Sequence, residues 1–149
     1  AMDLVLTDAL LSLNIPVTLH LKMHPTYVSD ATVSDVHLMI KWFEQVGLLP
    51  LASRLTFTLA HGRLRLAPDF FWNSPYFLNA MPPRIYNLFA GSRLVILKGD
   101  MNYRRAIFDT IFPVDTPLSQ IVDYVPAPLL ALRTLKCDAV VGIPLPIAK

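Results

Sequence analysis

The feature that most constrains this chain is a short apolar run with an abrupt polar end. Arg93-Leu94-Val95-Ile96-Leu97 shows no polar alternation, and Lys98-Gly99-Asp100 stops it. A strand with one wet face alternates. A continuous run of Val, Ile and Leu is the pattern of a strand covered on both faces, as in a parallel sheet. Parallel strands need a crossover connection, usually a helix. The run therefore predicts an α/β chain, provided that helical periods lie around it.

They do. Leu4, Leu6, Ala9, Leu10 and Leu13 suit a helix over 3–13, ended by Asn14 and Pro16. Val17, Leu19 and Leu21 alternate with Thr18, His20 and Lys22, which predicts a strand over 16–22 with one buried face. Val33, Val36, Ile40, Phe43 and Val46 predict a helix over 32–47, with Ser29, Asp30 or Thr32 as candidate caps and Gly47 after its end. A second helix is expected over 50–61, then a short alternating stretch at 62–66 and an aromatic loop at 70–77. Pro82-Pro83 starts a helix that runs to about Phe89. A short helix follows the Lys-Gly-Asp turn, and two further apolar runs occupy 129–135 and 139–143. Strand–helix alternation of this kind predicts an α/β fold with helices on both faces of the sheet. Length, 149 residues, is ordinary for one domain, so residues 1–149 are expected to form a single unit. No glycine fingerprint follows any strand, which excludes a Rossmann dinucleotide site.

Composition narrows the partners. Hydrophobic residues make up 54% and charged residues 16%, with a mean hydropathy of +0.47. No run of about 18 apolar residues lacks a charge or a proline, so a membrane span is not expected. The acids Asp3 and Asp8 stand where a signal peptide would carry bases, which predicts a cytoplasmic protein. The apolar excess then points to an oligomer interface, and a homodimer is the simplest closed form. A net charge of +2, evenly spread, does not suit a nucleic-acid binder. The single cysteine, Cys137, excludes an internal disulfide and reads as core.

Three segments carry candidate chemistry. Asp100 lies just past a predicted strand end, where ligands sit in open α/β sheets. Gly99 allows a tight turn there, Asn102 could cap the next helix, and Arg104 and Arg105 add positive charge suited to phosphate. A capped helix with a solvated basic face is the competing reading. In the second segment, Lys22 to Asp30 follows a strand, and Asp30 could ligate a hard cation or cap a helix. His20 and His24 could form a two-histidine metal site, although no third ligand is at hand. In the third, Arg133 and Lys136 lie between two apolar runs, placed to hold an anion or merely to form a basic loop.

Taken in order, these segments resemble one family. Lys98-Gly99-Asp100-x-Asn102-Tyr103-Arg104 is similar to the signature of the damage-control phosphatases, first catalogued as domain of unknown function eighty-nine, in the acidic-residue methyltransferase-like subgroup. Arg133-Thr134-x-Lys136-x-Asp138 with Val140-Val141-Gly142 resembles a later run of that family. His20-x-Lys22 with Val28-Ser29-Asp30 resembles an earlier one, and Phe71-Trp72-Asn73-Ser74-Pro75 also fits. The resemblance implies a three-layer α/β/α sandwich with a mostly parallel sheet, truncated relative to the family. It implies phosphoester hydrolysis on a small molecule with a divalent metal (Mn, Mg, Co or Ni). Asp30 would be a metal ligand, Asp100 with Asn102 would act in catalysis, and Arg104, Arg133, Lys136 and Lys22 would hold substrate or phosphate. By family spacing the Asp-Asn metal pair precedes Asp3, so the metal set is expected to be incomplete here. Two alternatives stay open: a metal-independent isomerase, lyase or cyclase of a biosynthetic pathway, and a non-catalytic binding or regulatory homologue.

Overall fold

A computed structural model describes residues 1–28 and 30–148. The chain divides into two compact units, Ala1–Ser74 and Pro75–Lys149. Each is built on one pair of parallel strands.

In the first unit, α1 (Met2–Ser12) leads into β1 (Val17–Leu21), followed by α2 (Val33–Gln45), α3 (Leu49–Ala60) and β2 (Leu64–Pro68). β1 and β2 pair in parallel with Val17 opposite Leu64 and Leu21 opposite Pro68, and α2 and α3 form the crossover between them. Leu4 and Leu11 of α1, Val36, Ile40 and Phe43 of α2, and Ala52 and Leu55 of α3 bury against Leu21 and Leu64. In α2 the buried positions are the expected periodic ones, whereas α1 buries Leu4, Thr7 and Leu11 and leaves the expected Leu6, Ala9 and Leu13 exposed; burying each large side chain is worth about 2 kcal/mol. Thr32 is the cap of α2. Its hydroxyl faces the Asp35 amide, and the Asp35 carboxylate accepts from the Thr32 amide at 2.8 Å, a reciprocal capping box. Asp30 therefore does not cap this helix, and Ser29 lies outside the described residues. A 3-10 turn, Phe70–Asn73, closes the unit.

In the second unit, a 3-10 turn at Leu78–Ala80 and α4 (Pro83–Ala90) precede β3 (Val95–Lys98), α5 (Asp100–Ala106), α6 (Leu118–Ile121) and β4 (Leu129–Leu132). β3 and β4 pair in parallel, Val95 opposite Leu129 and Lys98 opposite Leu132. A core of Tyr103, Ile107, Ile121, Ala139 and Val141 forms here, with Cys137 packed against it.

The α/β class and the parallel pairing agree with the sequence. Three details differ. β3 starts at Val95, and its burial alternates: Val95 and Leu97 are buried while Ile96 is half-buried. The run at 139–143 joins no strand ladder. It is apolar because Ala139 and Val141 enter the core from an irregular segment. And α6, only four residues long, is too short to leave a periodic signal.

Candidate functional site

Both units place polar residues just beyond the carboxyl ends of their strands, where no further rung competes for them. In the second unit, β3 ends at Lys98 and Gly99 follows with φ +94°, a conformation that disfavours any side chain. The Gly99 amide still donates to the Leu132 carbonyl at 2.9 Å, so the ladder runs one bond into the turn. Asp100 is the next residue on one side, and Arg133 the next on the other.

These two meet. Arg133 Nη2 lies 2.5 Å from Asp100 Oδ1, with only 9% and 12% of the side chains exposed. The contact is an ion pair rather than an aligned hydrogen bond, and Asp100 Oδ1 and Arg133 Nε remain buried without a hydrogen-bond partner. The guanidinium is held on its other sides. Nη1 donates to the Ala139 carbonyl at 2.6 Å, Nη2 lies 3.7 Å from Cys137 Sγ, and the carbon centre sits 4.2 Å from the Tyr103 ring centroid. Tyr103 is itself fixed: its hydroxyl accepts from the Val141 amide at 3.1 Å. Two charges out of water, each with unused hydrogen-bonding capacity, are a costly arrangement. Unused capacity of this kind concentrates where a ligand completes the set.

The other expected residues of this unit fall around the pair in different states. Asn102 is not the cap of α5. Gly99 holds that position, and the Asn102 amide donates back to the Lys98 carbonyl at 2.9 Å from inside the helix. Arg104 is engaged by Asp109 through two bonds of 2.6 Å, and that pairing raises its pKa further. To reach a phosphate it must leave Asp109. Arg105 is buried and donates to the Tyr76 carbonyl at 2.9 Å, so it is structural rather than part of a basic face. Lys136 is exposed.

In the first unit, Lys22 directly follows β1, and its amide donates to the Ala31 carbonyl. The intervening loop folds back so that one oxygen of Asp30, Oδ2, accepts from Lys22 Nζ at 2.7 Å and from the amides of Thr26 and Tyr27 at 2.8 Å each. Burial pushes the Asp30 pKa upward. The Lys22 bond, the two amides and the Lys22 charge outweigh that and hold it below the usual value. Lys22 Nζ also lies over the Tyr27 ring, 5.4 Å from its centroid. Asn73, the last residue of the 3-10 turn Phe70–Asn73, fastens the loop: it accepts from the Met23 amide and donates to the His24 carbonyl and to Thr26 Oγ1. An open cleft of about 640 Å³ lies beside the loop, lined by His24, Tyr27, Asp30 and Asp35 among others.

The two-histidine metal site does not form. His24 lies past the end of β1, and His20 packs edge-on against Trp72 at 5.4 Å. Among the described residues no group of three or more His, Cys, Asp or Glu could hold a metal. Asp30 offers one carboxylate, and one of its oxygens already carries an ammonium and two amides. A hard divalent cation takes about six oxygen ligands, so the described residues do not by themselves fit one. Tyr103 and Asn73 are the positioning residues that residue-type reasoning passes over. Each sits inside a family-like segment, which was the available signal.

The profile of the damage-control phosphatase ARMT1-like domain matches residues 1–147. The chain is similar to damage-control phosphatase ARMT1 of Xenopus tropicalis, 35% identical over 156 residues, and to the proteins of the same name from Homo sapiens, 31% over 155 residues, and Mus musculus, 31% over 150. In each case the match covers 95% of this chain and 34% of the relative, so the chain spans about a third of their length. Among the described residues no helix is long and apolar enough to cross a membrane.

Proposed function

The chain belongs to the damage-control phosphatase ARMT1-like domain family, and on that premise we propose that it carries the phosphate-handling part of a small-molecule phosphoester hydrolase. The observation that carries this reading is the Asp100–Arg133 pair, buried at adjacent strand ends with hydrogen-bonding capacity unspent on both partners. Arg133 holds phosphoryl oxygens through its planar fork, and Lys136 swings in from the surface as a mobile second charge. Asp100 accepts a proton from the attacking water as the water oxygen bonds to phosphorus and the bond from phosphorus to the ester oxygen breaks, the departing oxygen taking a proton from solvent. Asn102, anchored on the Lys98 carbonyl, fixes the first turn that presents Asp100. On the first unit, Asp30 would offer one carboxylate to a divalent cation, short by itself of the set such a cation takes, and Lys22 is the charge beside it.

Turnover on a panel of sugar phosphates, with Mn²⁺, Co²⁺, Ni²⁺ or Mg²⁺ added in turn, tests the reading. Asp100→Asn should lower turnover by about 100-fold or more while the circular dichroism is retained. A folded Asp100→Asn variant with undiminished turnover would rule Asp100 out.

One observation favours a second reading, a metal-independent relative: an ammonium already sits on Asp30. Turnover that survives exhaustive chelation would select it. A homodimer in the cytoplasm completes the proposal. Exposed Leu38, Trp42 and Val46 form an apolar stripe at helical spacing along and just past α2, and light scattering at micromolar concentration should return twice the chain mass.

A further inference from the structure

Resting on the reading of Asp100 and Arg133 as the phosphoryl site, we propose that Asp100 is its specificity-determining residue. Asp100 Oδ1 accepts a hydrogen bond from a protonated phosphoryl oxygen, so the site takes phosphate monoesters and orthophosphate and rejects sulfate and other fully ionised oxyanions.

Arg133 alone would take any tetrahedral oxyanion. Sulfate and phosphate match in size and shape, and a guanidinium fork donates to either. What separates them at neutral pH is a proton. Orthophosphate keeps at least one, a monoester loses its last with a pKa of about 6, and sulfate has none. An ionised carboxylate only accepts, so beside Arg133 it reads whether that proton is present.

Asp100 Oδ1 is placed to do this. It lies 2.5 Å from Arg133 Nη2, and neither it nor Arg133 Nε has a hydrogen-bond partner. The two unpartnered groups are thus an acceptor and a donor held in one ion pair. A single protonated phosphoryl group completes both: its O–H donates to Oδ1, and a second oxygen accepts from Nε. A monoester therefore docks as its monoanion, leaving Oδ2 for the attacking water. Sulfate can satisfy only Nε, and it sets a bare oxygen against the carboxylate. Only 9% of the Arg133 side chain and 12% of the Asp100 side chain are exposed, so salt screens that repulsion little and water does not reach the unmet acceptor. Arg133 cannot turn aside to relieve the clash. Its Nη1 donates to the Ala139 carbonyl at 2.6 Å, and its guanidinium lies on the Tyr103 ring. The turn beside the pair leaves room: a side chain at Gly99 would meet nothing within 4 Å beyond its chain neighbours.

The test uses the whole chain, with orthophosphate and sulfate as probes in calorimetric titrations at neutral pH. The wild type should bind orthophosphate on the order of 100-fold more tightly than sulfate. In Asp100→Asn the amide donates to either anion, so sulfate should bind more tightly than in the wild type and the preference should fall to within about threefold. Asp100→Ser, smaller and also a donor, should give the same result and serves if Asp100→Asn does not fold. Equal affinities in the wild type, a preference that survives in a folded Asp100 variant, or no binding of either anion would each overturn the assignment. The sugar-phosphate assay keeps the two proposals apart. Turnover inhibited equally by both anions sinks the selectivity alone. Orthophosphate preference that Asp100 controls, in a chain without turnover, sinks the hydrolase alone.

Discussion

The two units solve one problem in two ways. Each ends a parallel strand pair with an acid and a base in contact. In the first, Lys22 and Asp30 are eight residues apart and share a loop. Their register is local, set by backbone amides and by Asn73. In the second, Asp100 and Arg133 come from opposite strands and meet only because the β3–β4 ladder brings them together. The acids of the two pairs are about equally enclosed and both bases lie over a tyrosine ring, Tyr27 in the first and Tyr103 in the second. A pair held by a loop can exchange a partner cheaply. One held by a sheet is rigid, and losing a member leaves a charge stranded in the protein.

The contrast can be broken most directly at Arg133. Arg133→Met strands the Asp100 carboxylate and should cost about 3 kcal/mol in urea unfolding, whereas Lys22→Met should cost less than half of that. Equal losses would erase the distinction between the two pairs. Next in size is Tyr103→Phe, which keeps the ring under Arg133 but leaves the buried Val141 amide without its acceptor. A loss of about 1.5 kcal/mol is expected, and no change would mean that the amide finds another partner. Asn73→Ala should cost about 1 kcal/mol. Its clearer signature is faster hydrogen exchange at the Met23 amide with the second unit unaffected, and exchange that stays slow would show that the loop needs no clamp.

The smallest effect is a pH dependence confined to the first unit. Burial lowers the His20 pKa, with the Asp69 charge pulling the other way. The fold favours neutral imidazole. Stability is therefore intact above the unfolded-state pKa of about 6.5 and is lost as pH falls through that value toward the lower folded one. Urea midpoints at about pH 7.5 and about pH 5.5 should differ in the wild type and converge in His20→Gln. A difference that persists in the variant would assign it to another group.

Much of this was legible in the residues. α2 is marked by apolar positions three and four apart, but the buried face of α1 is not, and Thr32 stands beside Ser29 and Asp30 as one of three possible caps. Family membership was legible in Lys98 to Arg105, because a glycine with positive φ must stand where the strand turns into α5. What failed did so for tertiary reasons. Val140 and Val141 look like a strand, but their apolar character answers to the core around Tyr103 and not to a neighbouring ladder. Arg104 is still a candidate phosphate ligand; what the order of residues hides is its pairing with Asp109, because Phe108 and Asp109 both adopt positive φ with no glycine to announce the turn. Nothing in the order of residues says that Tyr103 will lie under Arg133.

The bond from the Gly99 amide to the Leu132 carbonyl has a consequence for how such a chain tolerates insertions and deletions. Most loops absorb a gained or lost residue because their ends are far from anything that counts. Here the last rung of the ladder sits directly beneath the two charged residues, so their meeting depends on arithmetic: two residues past Lys98 on one side, one past Leu132 on the other. A single-residue insertion after Lys98 shifts that count and turns the following side chain to the opposite face. The same insertion beside exposed Asp115 changes neither count.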